Sequence, residues 1–489
     1  MRHFKNKVKK EFESQLDTNL NFNISNLKSD FSGNSHKKVV VRRTIIIFAS
    51  ILTLCAISIP IFKLLDKEET LKLYKKTYVQ SELKQIEKNS FKKLNDINYP
   101  DGKKGEYKVS KDYYDSIIEF SNKLYPFLEE ENSSFSPLNL YMNLNILSLA
   151  SNNNIVIEAL DNLLGMTKET RAPDFVNAYK NDYFYNDYGT IQMYNGYFAT
   201  NKYDVNNTFI NNLTKHYTEA YQVDFNSSAA VNKILNWIDQ KVQDKNFLSR
   251  EDLNISDDTA FLLMSTFYFR NNWNNPFINQ NTKEDKFYLD NEIEINVPYL
   301  RHSYYGEYYD YGDYISCYDY FKNGQKIKYI ISKGDTSNNT FELVKNKNIF
   351  QDDENKKNMS SEDGLNPIIN LKMPKFESEY MIDFSQILKD NGLAYLFDEL
   401  SCSFNDAFTN LPDDISIYLD YVKQKNLVSF NEEGTMVKSV TVSSGNMATT
   451  SKPTIVDTID VNLNRPFIYI IYDTNDLPIF VGNLHNPLK

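Results

Sequence analysis

Apolar positions in the main part of this chain fall into two rhythms. Across 112–127 they recur at Tyr113, Ile117, Ile118, Phe120 and Leu124, a helical spacing. Ser136-Pro137 opens a second helix, with the serine placed to cap it and the proline in the first turn, where a missing N–H goes unneeded. The helical period continues over 138–150 and 155–164 and stops at Gly165. Beyond that the spacing predicts strands over 191–194 and 197–200, helices over 207–217 and 230–241, and a buried strand over 261–270. From Ile293 onward strands dominate, with one helix expected over 383–393. Helices gathered early and strands gathered late predict an α+β fold.

The N-terminal quarter follows another pattern. Residues 44–62 form an uncharged apolar run of about the length that spans a bilayer core as a helix, with no polar face. Residues 1–43 precede it, which disfavours a cleaved signal peptide, so the run reads as a membrane anchor. Lys37, Lys38, Arg42 and Arg43 crowd its N-terminal side, and the lysines from Lys63 to Lys76 weaken that asymmetry without reversing it. The expected division is a basic cytoplasmic tail (1–43), a transmembrane signal-anchor (44–62), a charged stalk (63–110) and an outward-facing folded domain (111–489).

One stretch carries a mechanism. Asn431-Glu432-Glu433-Gly434-Thr435 runs into Met436-Val437-Lys438-Ser439-Val440-Thr441-Val442 and then into Ser443-Ser444-Gly445-Asn446. It reads as a strand that ends at a glycine hinge, resumes with β-branched residues, and dissolves into a loop before another strong strand. Were that second half to become a strand, Thr435, Val437, Ser439, Thr441 and Ser443 would share one face, all small or β-branched and none charged. Met436, Lys438, Val440 and Val442 would share the other. No proline lies between Phe430 and Lys452, so every amide in that interval is able to join a ladder.

These residues resemble the reactive-centre hinge of the serpin family. The C-terminal Asn464-Arg465-Pro466-Phe467 with Pro478-Ile479-Phe480-Val481-Gly482-Asn483 is similar to the family's terminal hairpin. Asn132-Ser133-Ser134-Phe135-Ser136-Pro137-Leu138, Asp224-Phe225, Trp237, Tyr268-Phe269, Trp273, Phe277 and Pro374-Lys375-Phe376 fall in family order, continuously from about Lys111. The resemblance implies a serpin fold of three β-sheets and eight or nine helices with an exposed reactive-centre loop. It implies a monomeric suicide inhibitor of extracellular serine or cysteine proteases, in which the cut loop enters the central sheet and carries the acylated protease with it. The hinge would be Glu432, Glu433, Gly434, Thr435, Val437 and Ser439. Counting from Glu432 places the scissile bond at Ala448-Thr449, with Met447-Ala448 beside it, while counting back from Pro466 reaches Lys452-Pro453. Small residues at the cut suit an elastase-like or subtilisin-like enzyme. Ser136, Asn139, Ser265 and Gln424 would form the polar cluster beneath the opening sheet, with Trp273 at its opening end. In place of the family's alanine run this chain has Met-Val-Lys-Ser-Val, larger side chains that slow insertion. The alternative is therefore a non-inhibitory serpin serving as a surface binding or adhesion module.

Composition narrows the classes. Of 489 residues, 41% are hydrophobic and 14% aromatic, ample for a large core. A formal charge of −11 and a pI near 5.2 argue against a nucleic-acid binder. Cys55, Cys317 and Cys402 are far apart; Cys317 and Cys402 read as buried thiols, with a single pairing as the alternative. The five histidines show no ligand spacing, no Gly-x-Ser-x-Gly elbow is present, and neither cofactor, metal nor catalytic residue is expected. The bias towards Asn, Lys and Tyr indicates a low-GC microbial origin.

Overall fold

The computed structural model describes residues 90–129, 131–289, 293–334, 339–357, 365–401, 403–435 and 457–489. The apolar run 44–62, Cys55, Cys402 and residues 436–456, and with them Val437, Ser439, Met447, Ala448, Thr449 and Lys452, lie outside them.

Eight α-helices occur among the described residues: α1 (Lys111–Leu124), α2 (Pro137–Ser148), α3 (Asn154–Leu164), α4 (Lys168–Asn181), α5 (Asn207–Lys215), α6 (Ser228–Val242), α7 (Thr340–Val344) and α8 (Ser385–Leu388). Their starts follow capping chemistry. Ser110 accepts from the Tyr113 N–H ahead of α1, and Ser136 accepts from the Asn139 N–H ahead of α2 with Pro137 in the first turn. The helix expected over 383–393 begins later, because Asp383 closes a strand, and it loosens into a wider turn broken at Gly392, whose φ is +95°.

Strands β1 (Phe91–Lys93), β2 (Ser133–Phe135), β3 (Phe184–Asn186), β4 (Gly189–Thr200), β5 (Asp204–Val205), β6 (Thr218–Val223) and β7 (Phe261–Asn272) come first. Then follow β8 (Lys283–Tyr288), β9 (Glu294–Tyr305), β10 (Tyr308–Asp310), β11 (Tyr314–Tyr320), β12 (Lys326–Ser332), β13 (Ile368–Pro374) and β14 (Phe376–Asp383). The last are β15 (Phe408–Thr409), β16 (Lys423–Phe430), β17 (Gly434–Thr435), β18 (Thr458–Asn462), β19 (Phe467–Tyr472) and β20 (Pro478–Leu484). They build three sheets and a two-stranded ribbon of β5 and β15. The main sheet runs β1-β6-β4-β7-β17-β16-β14, with β3 beside β4. The second runs β10-β11-β12-β19-β20-β2, and the third β18-β13-β9-β8.

The main sheet is apolar on both faces, which its strand alternation dictates. On β7, Leu263, Phe267 and Phe269 join the large core that holds α2, whereas Leu262 and Met264 pack with Ile234 and Trp237 of α6 on the other face. Helix α2 is buried almost all round. It forms the floor under the middle of the sheet.

Residues 90–110, part of the expected stalk, belong instead to the folded body. β1 pairs antiparallel with β6, and the Phe91 ring lies 5.0 Å from that of Tyr221. The Asn95 amide donates to Thr214 and to the Thr218 carbonyl, while its oxygen accepts the Ala220 N–H at 2.7 Å. The Tyr99 hydroxyl donates to Glu219 at 2.9 Å with its ring stacked on Tyr183. Glu219 accepts further bonds from Trp237 and Tyr221 and pairs with Lys241, which together hold its carboxyl below the usual range against the upward push of burial. A few apolar anchors in a charged segment dock it to the sheet edge, a correction to the composition-based boundary.

Candidate functional site: the hinge and an open slot in the main sheet

β7 and β16 are not hydrogen-bonded to each other; β17, only two residues long, stands between their upper ends. It pairs antiparallel with both, Gly434 and Thr435 opposite Asn272 and Asn271 on one side and Thr435 opposite Phe430 on the other. One intervening strand sets β7 and β16 roughly 9–10 Å apart, two inter-strand spacings. Below β17 the space continues as a cavity of about 610 Å³, walled by Phe267 and Phe269 on β7 and by Asn426 and Val428 on β16. Asn139, Leu140 and Asn143 of α2 form its floor.

The hinge is held by its surroundings. The Trp273 N–H donates to the Glu433 carbonyl and the Phe277 N–H to the Glu432 carbonyl, both at 2.9 Å. The Trp273 indole N–H donates to the Asn431 carbonyl at 2.9 Å, and the Asn431 side-chain oxygen accepts from the amides of Glu433 and Gly434. Trp273 is fully buried, stacked on Phe321 at 4.6 Å and edge-on to Phe277. The Glu432 carboxylate meets Lys375 at 2.9 Å and Thr282 at 3.0 Å. Partial burial pushes that carboxyl upward, but those two partners prevail and hold it below the usual range. Gly434 is required sterically, since a Cβ there would sit 2.0 Å from the Asn271 carbonyl oxygen.

The polar cluster named from sequence is divided between two hydrogen-bonded groups. Gln424 accepts the Ser136 N–H at 2.6 Å, and its amide reaches the Ser136 carbonyl at 3.3 Å; the Ser136 hydroxyl donates to the Ile479 carbonyl at 2.5 Å. Ser265 on β7 donates to Asn195 of β4 at 2.6 Å and accepts from Asn143 of α2 at 3.1 Å. Asn139 lines the cavity between the two groups. Sequence reasoning missed Asn143, Asn195 and Asn426, the last donating to the Ser134 carbonyl at 2.9 Å. Their only sequence signal was polar character within apolar elements, Asn195 and Asn426 at inward strand positions and Asn143 on a helix buried almost all round.

Cys317 is a buried free thiol whose pKa burial pushes up. Among the described residues no three His, Cys, Asp or Glu side chains gather as a metal site, and no helix is long and apolar enough to cross a membrane.

Such an arrangement leaves a strand-wide position flanked on both sides, with a two-residue strand at one end of it. The serpin (serine protease inhibitor) family profile matches residues 115–487. This chain belongs to the serpin family. It is 25% identical over 402 residues to mouse (Mus musculus) neuroserpin, covering 76% of this chain and 91% of that protein. In fold it is similar to the thermophilic serpin tengpin in its native state, with a TM-score of 0.66 and 20% identity over 81% of this chain and 100% of the other. It is also similar to thyroxine-binding globulin in complex with thyroxine, with a TM-score of 0.60 and 17% identity over 77% of this chain and 99% of the other.

Proposed function

We propose that this chain is a suicide inhibitor of extracellular serine or cysteine proteases, anchored through residues 44–62 with its folded domain outside the cell. The observation that carries the reading is β17, paired antiparallel with both β7 and β16 at the mouth of the slot. Continuing that register one residue at a time sets Val437 between Phe269 and Val428, Ser439 between Phe267 and Asn426, and Thr441 between Ser265 and Gln424. All of those neighbours lie on the inward face, so the small uncharged set would point to the core and the polar cluster would meet two hydroxyls. Lys438 would fall between Tyr268 and Leu427 on the outer face, where its ammonium stays hydrated.

In this reading the protease nucleophile attacks the carbonyl of Ala448, forming an acyl-enzyme and freeing the new N-terminus at Thr449. The segment from Met436 onward then zips into the slot, each residue gaining ladder bonds on two sides, and the acylated protease is dragged along before water releases it. Met436 and Val440 are bulkier than the alanines usual there, but in this register both would fall on the outer face. The membrane placement rests on the apolar run and its basic flank.

Incubating the full-length protein with an elastase-like and a subtilisin-like protease, then running a denaturing gel, tests this. A covalent band near the summed masses is expected, with a released fragment that begins at Thr449. Complete cleavage with fully active protease would instead favour the non-inhibitory binding module.

A further inference from the structure

β17 pairs with the upper end of β7, and that end is fixed from behind by side-chain amides. Asn271, opposite Thr435 in the ladder, is the last inward-facing residue of β7. An apolar residue there would continue the inward stripe of Phe267 and Phe269. Asn271 is instead fully buried with both ends of its side chain engaged: its amide nitrogen donates to Gln325 at 2.7 Å, and its oxygen accepts from Asn323 at 3.2 Å. Asn323 and Gln325 belong to the turn between β11 and β12 and are themselves buried.

That turn is held in its own right. Asn323 exchanges hydrogen bonds with Asn186 at the end of β3, receiving one at 2.8 Å and donating one at 3.2 Å, and the Asn186 oxygen also accepts the Tyr188 and Gly189 amides. The Lys322 N–H donates to the Asn272 carbonyl at 2.9 Å and the Asn274 N–H to the Tyr320 carbonyl at 2.8 Å, while Lys104, in the segment docked on β6, donates to the Asn323 carbonyl. Separate stretches of the chain thus meet behind the residues on which Gly434 and Thr435 pair. Burying amides among apolar side chains costs stability unless they are paired, and a paired set specifies one arrangement. An aromatic stripe holds a strand to a core yet lets it slide; directed bonds fix its end. The fit against the hinge has no slack, since a Cβ at Gly434 would already sit 2.0 Å from the Asn271 carbonyl oxygen.

We propose that Asn271 is a positioning residue for the hinge, held by an amide clasp from Asn323 and Gln325 so that the end of β7 stays where Gly434 and Thr435 pair. Loosening the clasp unseats β17 together with Trp273, whose N–H donates to the Glu433 carbonyl. This rests on residues 432–435 being the hinge of an inserting loop, but its first test needs no protease.

Site-resolved hydrogen exchange on the intact full-length protein reads the Trp273 amide directly. In Asn323→Ala its protection should fall about tenfold, because the Asn271 oxygen loses its donor. Gln325→Leu removes the acceptor of the Asn271 amide while keeping bulk; it should do the same, and it serves alone should the first variant fail to fold. Asp161→Asn, which unpairs the buried Arg171 and leaves the clasp intact, is the control: it should lower the melting temperature and leave Trp273 protection where it was. Unchanged Trp273 protection in both clasp variants, or a loss in the control as large as theirs, overturns the proposal, the second because the amides would then only stabilise the body as a whole. With a protease that the unmodified protein traps, the share of cut loops ending in covalent complex should fall in the clasp variants and hold in the control. A protein whose clasp variants free the Trp273 amide but which forms no covalent complex sinks only the inhibitory reading; one that forms the complex while the clasp variants leave Trp273 protected sinks only this one.

Discussion

At the scale of single residues, Gly434 and a pair of buried acids make the sharpest claims. Gly434→Val would drive a side chain into the Asn271 carbonyl, so the β17 stub should lose its pairing. Titrating residual protease activity should then show at least about a tenfold loss of covalent trapping while loop cleavage persists, because strand entry becomes slower than deacylation. Asp182, at the end of α4, and Asp473, in the turn between β19 and β20, are both fully buried and share the Asn181 amide, at 3.3 and 3.0 Å. Burial raises both carboxyls, Asp473 from 3.8 to about 7. Folded-state values above the unfolded ones mean the stability this pair contributes is present below about pH 3.8 and lost as the pH climbs through 7. Melting scans between pH 4 and 8 should therefore show a decline in the unmodified protein that the double variant Asp182→Asn, Asp473→Asn largely removes; parallel profiles would show that the pair does not titrate. Neither acid was visible in the sequence, since residues 182 and 473 are brought together only by the fold. The Ser136 cap was legible because capping chemistry is local. Asn143 and Asn195 were not, because their bonds to Ser265 cross between elements.

At the scale of elements, the register of β17 turns an alternation read from sequence into a test. Ser439→Glu would place a carboxylate between Phe267 and Asn426 on the buried face, whereas Lys438→Glu would place one on the outer face. Covalent complex formation should fail in the first and survive within about twofold in the second, because an unpaired buried charge costs several kcal/mol and a solvated one little. Equal effects would mean that the register is wrong. The strap at 90–110 was the clearest misreading of an element. Its lysines and sparse apolar residues look like a solvated stalk, yet Phe91, Leu94 and Tyr99 are spaced to meet β6 and its neighbours. Tyr99→Ala strips a hydroxyl from Glu219 and a stacked ring from Tyr183, and should lower stability by about 2–4 kcal/mol in denaturant titrations. An unchanged midpoint would mean that the segment is only loosely laid on the body.

At the scale of the whole molecule, the main sheet has two strands bridged at one end by a two-residue stub and a partly open space of about 610 Å³ below it. The α+β class and the order of helices and strands were readable from periodicity and motif. The slot was not, since it depends on β7 and β16 being parallel neighbours far apart in sequence. Under the proposed function, the ladder groups that border the slot would gain partners once the loop is cut. The most direct measurement is therefore the melting temperature of the protein before and after a single cut within 447–453. A gain of roughly ten two-sided ladder positions predicts a rise of roughly 20 °C or more. A cut molecule that melts where the intact one does would contradict the account, because it would mean that the freed segment does not enter the sheet.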